Sequence, residues 1–573
     1  MAFVAGFASL AAGVVAAYRS PASAAELSIY GATPDLFWAG VGVALLVAVA
    51  LAFSSSRSRL LAVFLGGLGV FAIVALPLVR SYYFFGAADS LTHLGWVKDI
   101  GSGRLPVVDL LYPALHTTSL WLGDLADLSL TRAMLLVTVA YVGVFLVFVP
   151  LTARAITRDD RALVFGAFAA FLLLPVNNVS VHVIPHPTSQ ALFFLPLVLY
   201  LLVRYVTATE SSRSLGGLLG VALVGIVLVH PQQAVNLLLL FLTVSGLQFL
   251  YRRYRPDHPV ADHRPLYAQT AFFLVALAIW NSQHERVFEA SSGLLETLLH
   301  GPPSAAQIAQ KGVSLGALGS GLPELFAKMF LVSAVLSLVA GGWLLAAVTG
   351  ALDDFDPQAA AIGRYLAFGL VPVTGVFTVY LLATRQQMHF RHLGFIMAIV
   401  TVVAAVAATH SVDLAAGRRL SAGSLRTVLA AAFAVMLVLS AATVFASPYI
   451  YKRSGHVPEA QFDGYDTAFS HQHPDAAIGG IRQGPWRYAD ALYGTEPTPD
   501  SSRYFGVEPE TLRSVQSRFD AQLYVVVTRV DWLREVRAWG GLRYSAEDFE
   551  SLDAQPGVDR VQTNGEVVEY YAP

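Results

Sequence analysis

From Met1 to Ala446 long apolar runs alternate with short polar connections, and beyond Ser447 the pattern changes to mixed polar sequence. A helix of about 20 apolar residues crosses the hydrocarbon core of a bilayer. Thirteen runs are candidates: 2–18, 36–53, 60–79, 133–151, 162–176, 187–205, 214–231, 232–250, 267–283, 326–350, 364–384, 391–409 and 426–446. The fifth is short, and the seventh and eighth meet at His230-Pro231-Gln232-Gln233, which reads as a tight turn. The expected fold class is a polytopic α-helical membrane protein of about 13 transmembrane helices over residues 1–446, with a large polar loop at 80–131.

Residues 447–573 read as a separate soluble domain of α/β or α+β type. Leu523–Val530 has the β-branched run of a buried strand. Val561–Tyr571 reads as a hairpin, because both residues of its Asn564-Gly565 turn tolerate positive φ. Asp531–Trp539 and Ala546–Leu552 look helical.

Arginine placement orients the runs. Arg57 and Arg59, Arg154, Arg158 and Arg161, Arg204 and Arg213, the Tyr251–Pro265 segment, and Arg418, Arg419 and Arg426 all fall on one side of a thirteen-span layout. The positive-inside rule makes that side cytoplasmic. The 80–131 loop, Asn177–Pro187, the His230 turn, Gln283–Leu325, Thr384–His392 and the tail are then external, as expected of a multi-pass plasma-membrane protein. Asn178-Val179-Ser180, on that side, is a glycosylation sequon. Ala22-Ser23-Ala24 resembles a signal cleavage site, but no Lys or Arg precedes the first run, so a retained helix is the better reading. Gln283–Leu325 reads as a lid over an external cavity.

Composition narrows the classes. The chain is 55% hydrophobic and 13% charged, more apolar surface than one soluble core can bury. It has no cysteine, which excludes disulfides and thiolate chemistry. A net charge of −2 gives no footprint for nucleic acid. Outside the glycine-rich Gly312–Glu324 stretch, which lacks the P-loop Lys-Ser/Thr, no Walker A, GxSxG or dinucleotide pattern occurs, and there is no HExxH, so neither a nucleotide nor a zinc site is expected.

The candidate chemistry gathers on the external side. Asp89 and His93 are four apart, which on a helix puts carboxylate and imidazole on one face. Asp89 can take a proton from an alcohol or meet a divalent cation; the plainer reading is the N-cap of a helix over Leu91–Ile100. Tyr112 and His116 share the same spacing in a second amphipathic segment, Tyr112–Leu122, which equally suits an interfacial helix. His186 and His230 are further external histidines. Arg385 and Arg391 flank a short external turn with His389 between them. A guanidinium there matches a lipid phosphate or simply snorkels.

The many-span body, an early external loop with an Asp and two juxtamembrane segments (GAADSLTHLGWVKDI and YPALHTTSLWL), and a soluble tail closing on PGVDRVQTNGEVVEYY together resemble the GT-C class of integral-membrane glycosyltransferases, including archaeal and bacterial ones. The sequence departs from that class in two respects. The Asp-Glu or Asp-x-Asp pair of several of its families is absent, Asp89 being followed by Ser90 and Leu91, and two extra apolar runs precede the loop. The resemblance implies transfer of a sugar from a polyprenyl- or dolichyl-phosphate donor to a glycan, lipid or protein acceptor, with inversion. Asp89 would be the base. Arg391, with Arg385 or His389, would stabilise the departing lipid phosphate, and His93, Tyr112, His116, His186 and His230 would line the cavity. No nucleotide or ATP is needed for such a donor, and a divalent cation is compatible. A transporter or flippase of lipid-linked glycans is the alternative from another class, and a glycan polymerase or ligase would share most features. Ionisable residues at the external rim, with few in the spans, favour surface chemistry.

Overall fold

A computed structural model describes residues 1–54, 58–209, 213–285, 321–383, 388–416, 422–473, 475–482, 484–496, 503–518 and 522–573. The chain is a multi-pass membrane protein. Eight of its helices are long and apolar enough to cross a bilayer: Asp35–Ser54, Leu130–Thr157, Pro187–Val206, Pro231–Tyr254, Leu331–Thr349, Pro357–Leu382, His389–Leu414 and Gly423–Ala441. Shorter apolar helices occupy the other runs, at Ala2–Tyr18, Arg59–Val74, Arg161–Phe171, Arg213–Val229 and Tyr267–Asn281. At about 1.5 Å per residue, the 11-residue Arg161–Phe171 helix covers only part of the bilayer. It gives way to a turn in which Leu173 and Leu174 take positive φ, both fully covered by protein. Non-helical backbone at such depth persists only where protein shields it.

Packing follows membrane rules. Small residues let helices approach closely: a Cβ on Gly40 would stand 2.3 Å from the Ser9 carbonyl oxygen. Leu46, Leu338, Val371 and Val438 are meanwhile exposed on the helix flanks, the pattern of a lipid-facing surface.

Two helices of the early loop, Asp89–Gly101 and Ala114–Ala126, lie beside the Leu130 end of the Leu130–Thr157 helix, with Leu115 packed among Met134 and Val137. Arg154 and Arg158 lie at the other end of that 28-residue helix, about 42 Å away by helical rise. There they share a cleft with Arg204.

The tail carries a five-stranded sheet of β3 (Ala477–Ile481), β4 (Tyr504–Val507), β5 (Leu523–Thr528), β6 (Asp559–Thr563) and β7 (Val567–Ala572) in the order β4-β3-β5-β7-β6. The first three are parallel, and β7 and β6 are antiparallel. The expected strand and hairpin are both present, with Gly565 at φ 89° in the turn. Beneath the sheet, β1 (Phe84–Phe85) of the early loop pairs with β2 (His456–Val457) in register Phe84↔Val457. A tail helix, Gly484–Tyr493, lies against the Asp89–Gly101 helix so closely that a Cβ on Gly95 would stand 2.3 Å from the Asp490 carbonyl oxygen. Buried Asp99 locks this contact: it pairs with Arg104 at 2.7 Å and accepts from the Thr495 hydroxyl at 2.9 Å.

Candidate functional site

The polar segments of the bundle meet the tail at Asp89. The Gly86 amide donates to the Gly455 carbonyl at 2.9 Å, which holds the loop in the β1–β2 pairing and leaves two residues to enter the helix. Ala88 therefore takes φ 52° and occupies the N-cap position. Asp89 is the first residue inside the helix, not its cap as the plainer sequence reading had it. There its negative charge is favoured by the helix dipole, and its side chain stays 62% exposed.

The partner of Asp89 comes from the tail. Arg487 Nη2 donates to Asp89 Oδ1 at 2.5 Å, and Nη1 donates to the Thr92 hydroxyl at 2.5 Å. Thr92 passes the contact on to Asp490 at 2.6 Å. The Arg487 guanidinium lies 3.8 Å over the Trp486 ring. Burial lowers the pKa of Arg487, an effect that Asp89 opposes. Sequence reasoning missed Arg487; its only local signal was an arginine beside a tryptophan.

Behind Asp89 stand His93 and His116, both buried, with His93 Nδ1 and His116 Nε2 3.1 Å apart. Burial keeps the two rings neutral, with His116 at about 3 and His93 well below its ordinary value. Trp96 packs edge-on against both rings, and Tyr112 packs edge-on against His93 and Trp96. Tyr112 precedes the second helix, which starts at Ala114 after Pro113, so it does not share a helical face with His116 as its spacing predicts. Its ring instead stacks on His230, 5.7 Å between centroids and 11° between planes.

His230 caps the Pro231–Tyr254 helix and meets the Thr188 hydroxyl at 2.9 Å. His186 caps the Pro187–Val206 helix and meets the Ser189 hydroxyl at 3.1 Å. Ser90 ties this segment to the Asp89 helix by donating to the Pro185 carbonyl at 2.9 Å. Burial drives His186 down to about 4, with the Arg391 charge adding to the fall and the Asp89 charge opposing it. His186 thus feels both charged candidates. His230 is depressed by burial and again by Arg391.

Arg391 donates to Gln232 Oε1 at 3.1 Å, and its carbonyl accepts from Gln233 at 3.0 Å. His389 packs on Phe390 and Phe377. Arg385 lies outside the described residues, as does most of the Gln283–Leu325 segment. Among the described residues no three histidines or carboxylates stand together as a metal site. The Asn178 side chain of the sequon donates to the Thr443 carbonyl at 2.7 Å, and Ser180 is buried, so the expected glycosylation acceptor is engaged within the fold.

No family model matches the sequence, and no curated protein matches it. Among solved structures the chain is similar to ArnT from Cupriavidus metallidurans bound to undecaprenyl phosphate, at 12% identity and a TM-score of 0.45 over 90% of this chain and 98% of that one. It is similar also to the archaeal oligosaccharyltransferase AglB from Archaeoglobus fulgidus in complex with an inhibitory peptide and a dolichol-phosphate, at 13% identity and 0.43 over 87% and 73%. The arabinofuranosyltransferase AftD from Mycobacteria is a third, at 14% and 0.41 over 96% of this chain and 42% of that one. All three are glycosyltransferases of the GT-C class, the class the sequence resembles.

Proposed function

We propose that this chain is a membrane glycosyltransferase that moves a sugar from a lipid-phosphate donor to an acceptor on the external face. One observation supports this most: the Asp89 helix is tied through Ser90 to the Pro185 carbonyl beside His186, while Arg391 is tied to Gln232 beside His230, so the carboxylate and the arginine flank one set of polar side chains. Asp89 accepts the proton of the acceptor hydroxyl as its oxygen attacks the anomeric carbon. The bond from that carbon to the phosphate oxygen breaks on the opposite face, inverting the configuration, and the lipid phosphate leaves with the electron pair. Arg391 balances the charge that develops on it. Tyr112, His186 and His230 stand between the two as neutral hydrogen-bonding groups for sugar hydroxyls. His93 and His116 are positioning residues that hold Tyr112. Residues 447–573 form the external domain in this reading, and Arg487 holds the Asp89 carboxylate in place until the acceptor arrives.

Asp89→Asn tests the assignment in membranes supplied with lipid-linked sugar. The expected result is transfer reduced about 10²- to 10⁴-fold, the contribution of a positioned base, at undiminished protein level. Unimpaired transfer overturns the role.

A further inference from the structure

A cavity of about 750 Å³ among Arg154, Arg158 and Arg204 lies at the far end of the bundle. A second cavity, of about 690 Å³, is more telling. It opens beside Ala88, between the Asp89 helix and the tail sheet. Its wall carries five arginines, Arg453, Arg482, Arg487, Arg534 and Arg543, and two carboxylates, Glu508 and Asp531, for a lining charge of 5 − 2 = +3. Its size falls within the range of small-molecule sites, about 300–1,000 Å³.

The arginines differ in how they are held. Arg543 pairs with Glu508 at 2.5 Å, Arg482 with Glu535 at 2.7 Å, and Arg534 with Asp531 and Glu535 at 2.8 Å each. Arg487 is paired with Asp89. Arg453 alone has no carboxylate partner among the described residues; it donates to the backbone carbonyls of Ser454 and His456. A half-buried guanidinium with only carbonyl partners favours an anion beside it. Burial, with the neighbouring Arg534 charge, pushes Arg453 down to about 10.

The same wall carries polar atoms with no partner. The Tyr465 side chain is fully buried and its hydroxyl makes no hydrogen bond, and the same holds for Arg487 Nε and Gln461 Oε1. Buried polar groups left unpaired cost free energy unless a ligand meets them. Trp539 adds an apolar face, fixed by its indole donating to the Tyr451 carbonyl at 2.7 Å. Arg453, Arg534, Trp539, Ala87 and Ala88 also line an adjoining cavity of about 380 Å³, so the cationic wall is continuous with the residue before Asp89. A paired wall with one uncompensated cation, unpartnered hydroxyl and amide atoms, and an indole face suits a sugar that carries an anionic group.

We propose that this cavity holds an acidic sugar of the acceptor glycan, bearing a carboxylate or a sulfate or phosphate ester, with Arg453 as its anion partner and Tyr465 as a hydroxyl contact. The word acceptor rests on the glycosyl-transfer reading above; the binding of an acidic sugar does not.

The full chain in lipid nanodiscs, without donor, is titrated with glucuronate, glucose 6-sulfate, glucose 6-phosphate and glucose by calorimetry. At least one acidic sugar is expected to bind about tenfold or more tightly than glucose, as one charge-assisted contact provides. Preference for glucuronate assigns the carboxylate, and preference for either ester assigns the ester. Arg453→Gln is expected to erase the discrimination. Tyr465→Phe removes a hydroxyl that has no partner in the free protein, so it leaves the melting temperature undiminished and weakens the acidic sugar several-fold. Equal affinity for glucose and all acidic sugars overturns the inference, as does full discrimination in both folded variants. Asp89→Asn separates the two readings: it keeps acidic-sugar binding while losing transfer. Transfer retained by that variant defeats the catalytic assignment alone.

Discussion

At the scale of single residues, the decisive contact is Asp89 with Arg487, side chains 398 positions apart in sequence. An ion pair with one partner this exposed contributes about 1 kcal/mol or less, and here it aims the carboxylate. Arg487→Gln is expected to lower kcat about tenfold or more, because Asp89 is then free to rotate, while KM for the lipid donor changes little. Steady-state kinetics with donor and acceptor varied separately check this. An unchanged kcat with a raised donor KM would assign Arg487 to donor binding instead. The strained φ of Ala88 belongs to the same contact, since the backbone turn that puts Asp89 on the first turn of its helix also turns its carboxylate toward the tail.

At the scale of elements, the two loop helices are joined through neutral histidines. The unfolded chain takes up protons on these imidazoles near pH 6.5, whereas folded His116 does so only at about 3 and His93 well below its ordinary value. Between those limits the unfolded state binds more protons, so stability falls as pH drops from about 6.5 toward 3. His456, buried at the β1–β2 pairing and lowered to about 3, contributes with the same sign. The melting temperature of the purified chain is expected to fall between pH 7 and pH 5. His116→Gln should show a smaller fall over the same interval, measured by a fluorescence melt in detergent. An identical fall in that variant would assign the pH dependence to the other buried histidines.

At the scale of the whole molecule, the arginine-rich end and the Asp89 end lie on opposite ends of the Leu130–Thr157 helix. The tail is joined to the latter by β1–β2, by the Gly484–Tyr493 helix, and by Glu566, which accepts from the Ala25 amide at 3.0 Å. The absence of cysteine makes orientation directly measurable. Glu510→Cys, exposed in the tail, is expected to react with a membrane-impermeant thiol reagent on intact cells. Asp257→Cys, exposed at the arginine-rich end, is expected to react only after permeabilisation. The reverse pattern would invert the topology and with it the external site.

The sequence alone determined the helical runs, the strand at Leu523 and the Asn564-Gly565 hairpin, because each depends on local properties: the length of an apolar run, β-branching, and a turn that needs positive φ. It also determined that Asp89, Tyr112, His186, His230 and Arg391 lie on one side, since charge placement orients every run together. Tertiary structure alone decided how they meet. Tyr112 stacks on His230, 118 positions further along the chain, Phe84 pairs with Val457, and Arg487 reaches Asp89 across 398 positions. No periodicity encodes such contacts, because they arise from which helices pack side by side and where the tail docks. The expectation that Asp89 caps its helix failed for the same reason: a distant backbone pairing at Gly86–Gly455 moved the cap to Ala88.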